Sequence, residues 1–334
     1  MKVVHTAVLL ATVLLWAAPP LAIHAEESFY EPLPKMTHPK DNPWSKDKED
    51  LGRMLYFDPR LSGSNWISCA TCHNPGLGWS DGLSMPIGHD FNRKGLRNSP
   101  TVINSGYFEV QFWDGRAPSL EEQAKGPIQA DIEMNQNVDE LIKELKAIPG
   151  YVRRFDKVFG KNSINLDNIV KAIATFERSV VSKNAPYDKY MKGDKKAMSK
   201  SAVNGMNLFF GKAKCSICHN GPAFTDSKFH NIGVKSSDPG RYQVTKEGSD
   251  KGAFKTPGLR HISRSAPYMH DGSEKTLKEV IEFYNRGGDA KENISPFITP
   301  LDLSKQEVND LVEFMKALEG EPINVAVPEL PPDN

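Results

Sequence analysis

Cys69-Ala-Thr-Cys72-His73 is the stretch that decides the fold of this chain, and its pattern returns as Cys215-Ser-Ile-Cys218-His219. Each stretch is C-x-x-C-H, the attachment motif of a c-type haem. In this motif the two thiols bond to the haem vinyl groups, and the histidine that follows ligates the iron. The spacing therefore predicts two covalently bound haem c groups. Their attachment and ligand residues are Cys69, Cys72, His73, Cys215, Cys218 and His219.

The residues before the two motifs form a weak internal repeat. Gly52-Arg-Met-Leu-Tyr-Phe57 precedes the first motif, and Gly205-Met-Asn-Leu-Phe-Phe210 precedes the second. Asparagine follows both motifs, at Asn74 and Asn220. Self-similarity of this kind indicates a repeated structural unit. We therefore expect two equivalent haem domains, each with a helix that leads into its C-x-x-C-H motif.

Other uses of four cysteines are open to such a chain. An exported protein normally pairs its cysteines as disulfides. Two C-x-x-C pairs can hold zinc, and a single pair can be a redox dithiol. None of these uses requires a histidine directly after both pairs, and the chain has no further cysteine. The pattern favours haem.

The first 25 residues differ from the rest. Lys2 supplies a positive charge, an apolar run extends from Val3 to Trp16, and small residues precede Glu26. This pattern predicts a signal peptide that is cleaved after Ala25. The alternative is an uncleaved membrane anchor, but the apolar run is shorter than the roughly 20 residues of a spanning helix. We expect an exported, soluble mature protein, with no later stretch able to span a bilayer.

The length and charge of the chain limit the number of domains and the kinds of partner that we expect. The chain of 334 residues is long enough for two domains, each with its own core. It carries 42 basic and 42 acidic side chains, so its formal net charge is zero. A balanced charge gives no reason to expect a nucleic acid or an anionic membrane surface as partner.

The remaining patterns indicate a mainly α fold. Apolar residues from Leu166 to Ala174 keep the spacing of one buried helix face. Thr276-Leu-Lys-Glu279 and Ser304-Lys-Gln-Glu307 resemble capping boxes that begin two further helices. Long stretches rich in Gly, Pro and Asn separate the helices, as expected where a chain wraps a cofactor. The fold class predicted is two cytochrome c-like haem domains with long loops.

Several further motifs, in the same order and spacing, resemble the bacterial di-haem cytochrome c peroxidases. The resemblance covers about residues 48–320. The matching stretches are Leu51-Gly, Asp58-Pro-Arg-Leu, Ile67 to Asn74, Asp81-Gly, Pro86-Ile-Gly-His89, Arg97-Asn-Ser-Pro-Thr-Val, Gln111 to Ala117, Gln123 to Gln129, Glu133-Met134, Leu259-Arg260 and Ala266 to Gly272.

The resemblance implies that the two haems have different functions. Residues 26–184 would form the N-terminal peroxidatic domain, where hydrogen peroxide meets the haem of His73. Residues 185–320 would form the C-terminal electron-transfer domain, whose haem is held by His219. Residues 1–25 are the signal peptide, and residues 321–334, rich in proline, would be an extended tail.

By the same resemblance, Glu133 is the acid–base residue and Gln123 assists it. A carboxylate suits this role because it can take a proton from one peroxide oxygen and return it to the other, so that the O–O bond breaks. Trp113 is placed between the haems, where an indole could relay electrons or hold a radical. A solvated acid at Glu133 and an ordinary core aromatic at Trp113 are the alternative interpretations.

A calcium ion lies between the domains in the family. The matching positions are the side chain of Asn98 and the backbone carbonyls of Ser265 and Pro267. Ligation by oxygen alone suits this hard cation. Serine stands at position 265 where the family usually has threonine, an exchange that a backbone ligand tolerates.

Two further iron ligands are implied, and they point in different directions. His89, in Pro-Ile-Gly-His, matches the removable ligand that closes the resting peroxidatic haem in classical members. Classical members have a methionine ligand fourteen residues after the histidine at position 270, but here position 284 is Tyr284. This tyrosine resembles the ligand of the MauG subfamily, which oxidises tryptophans of a partner protein. Met269 and Met315 are alternative candidates for this iron ligand, but neither occupies the position that matches the methionine of classical members.

Three functions follow from this reading. The main expectation is a periplasmic peroxidase that reduces hydrogen peroxide with electrons from a small cytochrome c or cupredoxin. The second is MauG-like oxidation of residues of a partner protein. The third is a plain di-haem electron carrier. The family also implies a homodimer.

Overall fold

The structure is a computed structural model that describes residues 32–91 and 97–333, and it is mainly helical with long irregular connections, as predicted. The predicted signal peptide lies outside the described residues. The α-helices are α1 (Lys46–Phe57), α2 (Cys69–Cys72), α3 (Leu120–Gln129), α4 (Val138–Ala147), α5 (Pro149–Phe159), α6 (Leu166–Glu177), α7 (Pro186–Met191), α8 (Lys200–Phe210), α9 (Tyr242–Thr245), α10 (Leu277–Asn285) and α11 (Lys305–Ala317). Strands β1 (Phe229–His230) and β2 (Phe254–Lys255) pair antiparallel.

Helix α1 crosses helix α6 at the centre of the N-terminal half. Gly52 lies so close to α6 that a Cβ atom there would overlap the carbonyl group of Ala172 and touch Phe176. Only glycine permits two backbones to approach this closely. The rings of Tyr56 and Trp79, both fully buried, pack beside Phe176. The crossing fixes the direction in which α1 delivers the chain to the first haem motif.

The same crossing occurs in the C-terminal half, between α8 and α11. A Cβ atom on Gly205 would overlap the carbonyl group of Asp310 and touch Phe314. The spacing between the two partner residues is one helical turn here, as it is in the N-terminal half. The two glycines of the sequence repeat therefore occupy equivalent places, and each haem motif follows a helix that packs on the last helix of its half.

The two predicted capping boxes are present. The Thr276 hydroxyl accepts a hydrogen bond from the backbone N–H of Glu279, whose carboxylate accepts one from the N–H of Thr276. Ser304 and Glu307 exchange the same pair of bonds at the start of α11. Because the first N–H groups of a helix have no partner within it, these bonds define where α10 and α11 begin.

The two halves are joined by bonds between loops. The backbone N–H of Asn98 donates to the carbonyl of His270, and that of Lys255 donates to the carbonyl of Trp113, both at 2.8 Å. A loop of the C-terminal half also reaches across. Its Asp238 accepts two hydrogen bonds from the Arg97 guanidinium, at 2.7 and 2.9 Å. These bonds hold the irregular segments between the predicted haem sites.

The C-terminal tail runs back over the N-terminal half without forming a helix. Ile323 and Val325 pack against the N-terminal core. The Arg60 guanidinium donates to the carbonyl of Pro331 at 3.1 Å. Within the described residues, no helix combines the length and apolar character needed to cross a membrane.

Candidate haem-binding sites

The first haem motif lies on the wall of a cavity of about 360 Å³ in the N-terminal half. The short helix α2 carries Cys69 and Cys72 into this wall. Ser68 caps it, because its backbone N–H donates to the Thr71 hydroxyl at 2.9 Å. His73 follows α2 directly and lines the same cavity. The turn therefore aims both thiols and the imidazole at one volume.

The ring of His73 is held in one orientation. Its Nδ1 lies 2.9 Å from the carbonyl oxygen of Pro100. Since a carbonyl can only accept, Nδ1 carries the proton and Nε2 keeps its lone pair for a metal. Burial lowers the pKa of His73, which keeps the ring neutral. The backbone carbonyl of His73 accepts a hydrogen bond from the Tyr56 hydroxyl at 3.0 Å, which fixes the ligand's backbone too.

The second motif repeats this design in a cavity of about 260 Å³. A 3₁₀ turn, Cys215–Ile217, begins the motif and is followed by Cys218 and His219. The Nδ1 atom of His219 lies 3.1 Å from the carbonyl oxygens of both Phe224 and Pro257, so Nε2 is again left for a metal. Burial lowers the pKa of His219 as well.

The arrangement of the cysteines fits haem attachment better than disulfides, a zinc site or a redox dithiol. No two of the four sulfur atoms are joined in a disulfide. Each pair lines its own cavity, so the four thiols do not converge on one zinc ion. Burial raises the pKa of Cys72 and of Cys215 to about 12, which disfavours the reactive thiolate of a redox dithiol.

Glu133 and Gln123 line the N-terminal cavity together with the first motif, as the resemblance implies. Gln123 lies on α3, and Glu133 lies in the turn that follows it. Burial raises the pKa of the Glu133 carboxyl, and the charge of Arg116 opposes this shift. A carboxyl with a raised pKa exchanges a proton more readily near neutral pH than an exposed one.

Trp113 lines both cavities, so its indole lies between the two predicted haems. The indole N–H donates to the carbonyl of Asn98 at 2.8 Å. This carbonyl belongs to the residue whose N–H bonds to His270 of the C-terminal half. The ring is therefore fixed by the bonds that join the halves.

The three residues of the predicted calcium site line one cavity. Asn98, Ser265 and Pro267 are all on the wall of the C-terminal cavity. The amide nitrogen of Asn98 donates to the carbonyl of Leu83 at 2.8 Å, which leaves the amide oxygen as the atom that could ligate a cation. The arrangement supplies oxygen donors of the kind that calcium prefers.

Tyr284 lies on the wall of the C-terminal cavity. The predicted apolar stripe of α10, which includes Leu277, Val280 and Ile281, lines this cavity with it. Burial raises the pKa of the Tyr284 hydroxyl above its usual value, and the two nearby thiols add to the shift. The two methionines named as alternative ligands line the same cavity. The phenol can therefore face the second haem, in competition with two thioethers.

His89 lies beside the N-terminal cavity, and residues 86–88 line the cavity in its place. Its backbone N–H donates to the carbonyl of Glu133 at 2.8 Å, and its carbonyl accepts from the Trp66 indole at 2.7 Å. The backbone of His89 is therefore held next to Glu133, and its imidazole is not part of the cavity wall.

If His89 is a removable ligand of the resting iron, the wild type and a His89 variant should react with peroxide at different rates. If His89 closes the resting iron, we expect the oxidised enzyme to react slowly with peroxide and His89→Gly to react at once. Stopped-flow absorbance of the two oxidised proteins measures this difference. A wild-type enzyme that already shows five-coordinate, high-spin iron and reacts immediately would make His89 a bystander.

Some residues that line the two cavities could not be identified from the sequence. Asp238 and Gln243 belong to the C-terminal half yet line the N-terminal cavity, and no pattern in the sequence connects them with it. Glu177 lines the same cavity from the end of α6. Here a pattern existed, because position 177 is four residues after Ile173 and continues the buried face of that helix. His270 is buried against the Phe254 ring in the C-terminal cavity.

Covalent attachment is directly measurable. We expect each of the four cysteines to form one thioether bond, so the intact mass should exceed that of the polypeptide by two haems. Mass spectrometry of the denatured holoprotein measures this, since a thioether survives denaturation. One haem per chain, or free thiols in the holoprotein, would contradict the assignment.

Two C-x-x-C-H sites, each with an oriented histidine and a cavity of its own, define the class of c-type di-haem proteins. The profile of the di-haem cytochrome c peroxidases matches residues 46–196. Methylamine utilization protein MauG of Methylorubrum extorquens is 43% identical over 88% of this chain and 84% of its own length. The cytochrome c551 peroxidase of Nitrosomonas europaea is 40% identical over 87% of this chain and 86% of its own.

The solved structures agree. The crystal structure of a MauG-like protein associated with microbial copper homeostasis has a TM-score of 0.81 and 32% sequence identity, over 86% of this chain and 95% of that one. This chain belongs to the di-haem cytochrome c peroxidase family. It is accordingly an oxidoreductase, and the family implies two haem c groups.

Proposed function

We propose that this protein reduces hydrogen peroxide to water with electrons from a small redox protein. The proposal rests on the N-terminal cavity. Glu133 and Gln123 line this cavity together with the haem motif that contains His73. A plain electron carrier has no need of a buried acid with a raised pKa beside its haem. A peroxidase needs one, because protons must move between peroxide oxygens.

Each residue has a part in this chemistry. The bound haem would supply the iron at which the O–O bond is broken. Glu133 takes the proton from one peroxide oxygen and returns it to the other, which leaves as water. Gln123, with two donors and an acceptor on its amide, orients the peroxide through hydrogen bonds. Trp113 lies against both cavities and offers a route for electrons from the C-terminal site.

The proposal also includes the domains, the export of the protein, its electron donor, a calcium site and its assembly. Residues 26–184 form the peroxidatic domain, residues 185–320 form the electron-transfer domain, and residues 321–334 are the tail. Residues 1–25 direct export to the periplasm, where a small cytochrome c or cupredoxin donates electrons. Calcium binds Asn98, Ser265 and Pro267 between the halves, and a homodimer is the assembly. The place of these three residues on the wall of one cavity, with Trp113, supports the calcium site.

A second function is favoured by Tyr284. This residue lines the C-terminal cavity, and the chain is 43% identical to a MauG protein. A phenolate ligand is hard and anionic, so it stabilises higher oxidation states of iron, whereas a methionine thioether stabilises the reduced state. A haem ligated by Tyr284 would store oxidising equivalents and could oxidise tryptophan residues of a partner protein.

Steady-state kinetics separate the two functions. The holoprotein is supplied with hydrogen peroxide and either a reduced small cytochrome c or a tryptophan-bearing partner protein. We expect sustained oxidation of the cytochrome that depends on peroxide. Turnover with the partner protein alone would favour the MauG-like function. No turnover with either protein would indicate a plain electron carrier.

A further inference from the structure

One buried carboxyl of the N-terminal cavity has no part in the proposed peroxide chemistry. Glu177 ends helix α6, and its side chain lines the cavity that holds the first haem motif. The residue is only 6% exposed. Its Oε2 atom is fully buried and has no hydrogen-bond partner among the described residues. A buried carboxyl oxygen without a partner is costly, and more so when the group is ionised.

The donors near Glu177 are already engaged. Arg178, the next residue, gives both terminal nitrogens to Glu121 on α3, at 2.6 and 2.9 Å. The Tyr56 hydroxyl on α1 donates to the carbonyl of His73. Cys69 on α2 faces Glu177 as well, and as a haem thioether it would carry no proton. The neighbouring cation Arg178 is therefore already paired with Glu121, and its charge only opposes the effect of burial on Glu177.

The consequence is a carboxyl that keeps its proton at neutral pH and loses it only in weakly alkaline solution. Burial raises the pKa of Glu177 to about 8, with the Arg178 charge opposing the shift and the Glu121 charge adding to it. Besides the two cysteines, the other titratable and charged groups on the cavity wall are Arg97, Asp114, Arg116, Glu133, Asp238 and His73, and Asp81 lies near His73. Of these, only Glu133 shares with Glu177 both a place on the cavity wall and a carboxyl of raised pKa.

We propose that Glu177 is the redox-linked proton site of the N-terminal haem. In the pH range where this carboxyl titrates, entry of one electron from the redox donor into the bound haem would be coupled to uptake of one solvent proton by the Glu177 carboxylate, and oxidation of the haem would release both. The reason is electrostatic, since reduction removes a positive charge from the cavity and so favours the neutral carboxyl. This inference rests on the proposed function only for the presence of haem in the cavity.

The sign of the pH dependence follows from linkage. Reduction raises the pKa of Glu177, and by reciprocity deprotonation lowers the reduction potential. The potential of the N-terminal haem should therefore be constant below the pKa of the oxidised state and fall as pH rises through the region around 8. It should level off above the pKa of the reduced state. The C-terminal haem should show no such dependence through Glu177, which does not line its cavity.

The test is a redox titration of the holoprotein at pH values from 6 to about 10, on wild type, Glu177→Gln, Glu177→Asp and Glu133→Gln. The glutamine variant keeps the shape of the side chain and cannot ionise. We expect its N-terminal potential to be independent of pH in this range and to stay near the acid limit of the wild type. Glu177→Asp should retain a slope, displaced along the pH axis.

A second readout follows the proton itself. The redox difference infrared spectrum of the wild type should contain a carboxyl C=O band that is missing from Glu177→Gln. A slope and a band that survive Glu177→Gln and vanish in Glu133→Gln would assign the proton to Glu133 and overturn the proposal. A flat wild-type potential would also overturn it. Haem content and peroxide turnover, measured on the same samples, test the proposed function separately.

Discussion

Glu133→Gln should keep both haems and lose peroxide turnover by a factor on the order of 10² to 10⁴, the usual contribution of a general acid–base group. The amide has nearly the shape of the carboxyl, so the cavity should be unchanged, but it cannot accept a proton from peroxide. The loss should appear in the rate of reaction with peroxide measured by stopped flow, with the haem spectra of the resting enzyme preserved.

The matched control is Glu122→Gln on helix α3. Glu122 is half-exposed, pairs with Lys125 at 2.8 Å and does not line the N-terminal cavity. We expect its turnover to equal that of the wild type. If Glu133→Gln, with full haem content, turns over as fast as this control, Glu133 takes no part in the mechanism.

Tyr284→Met should raise the reduction potential of the C-terminal haem by an appreciable fraction of the roughly 0.8 V over which axial ligands tune haem iron. An anionic oxygen ligand disfavours the addition of an electron to iron, and a neutral thioether favours it. The change should also bring the protein towards classical peroxidase behaviour, with activation by reduction. Redox titration with absorbance detection measures both potentials.

A second tyrosine of the same cavity serves as the control. Tyr268 also lines the C-terminal cavity, and its hydroxyl donates to the carbonyl of Ile262 at 3.0 Å. Tyr268→Phe removes a buried phenol without removing the proposed ligand, so the potential should stay close to that of the wild type. Equal potentials and spectra in Tyr284→Met and the wild type would make Tyr284 a packing residue and not an iron ligand.

The sequence predicts most strongly where chemistry demands local spacing. The C-x-x-C-H motifs, the capping boxes of α10 and α11, and the apolar stripe that ends at Tyr284 are each confined to one turn or one helix. The structure confirms the two capping boxes, and it places the apolar stripe with Tyr284 on the wall of the C-terminal cavity. The glycine repeat also has a physical basis, because Gly52 and Gly205 each permit the close helix crossing that precedes a motif.

What the sequence could not predict depends on contacts between distant segments. The Arg97 guanidinium bonds to Asp114 and Asp238, and this brings a C-terminal loop over the N-terminal cavity. Nothing in the spacing of charged residues selects one pair among 42 acids and 42 bases. The position of His89 also depends on distant contacts, because its backbone bonds to the Glu133 carbonyl and to the Trp66 indole.

We expect the two haem sites together to reduce hydrogen peroxide with electrons from outside the protein. The most direct test is the stoichiometry of turnover, with a peroxide electrode and the absorbance of a reduced small cytochrome c recorded on one sample. Because reduction of one peroxide to two waters consumes two electrons, we expect two cytochromes to be oxidised for each peroxide consumed, with no oxygen released. Peroxide consumed without oxidation of the cytochrome, or no consumption by a protein that carries both haems, would contradict the account.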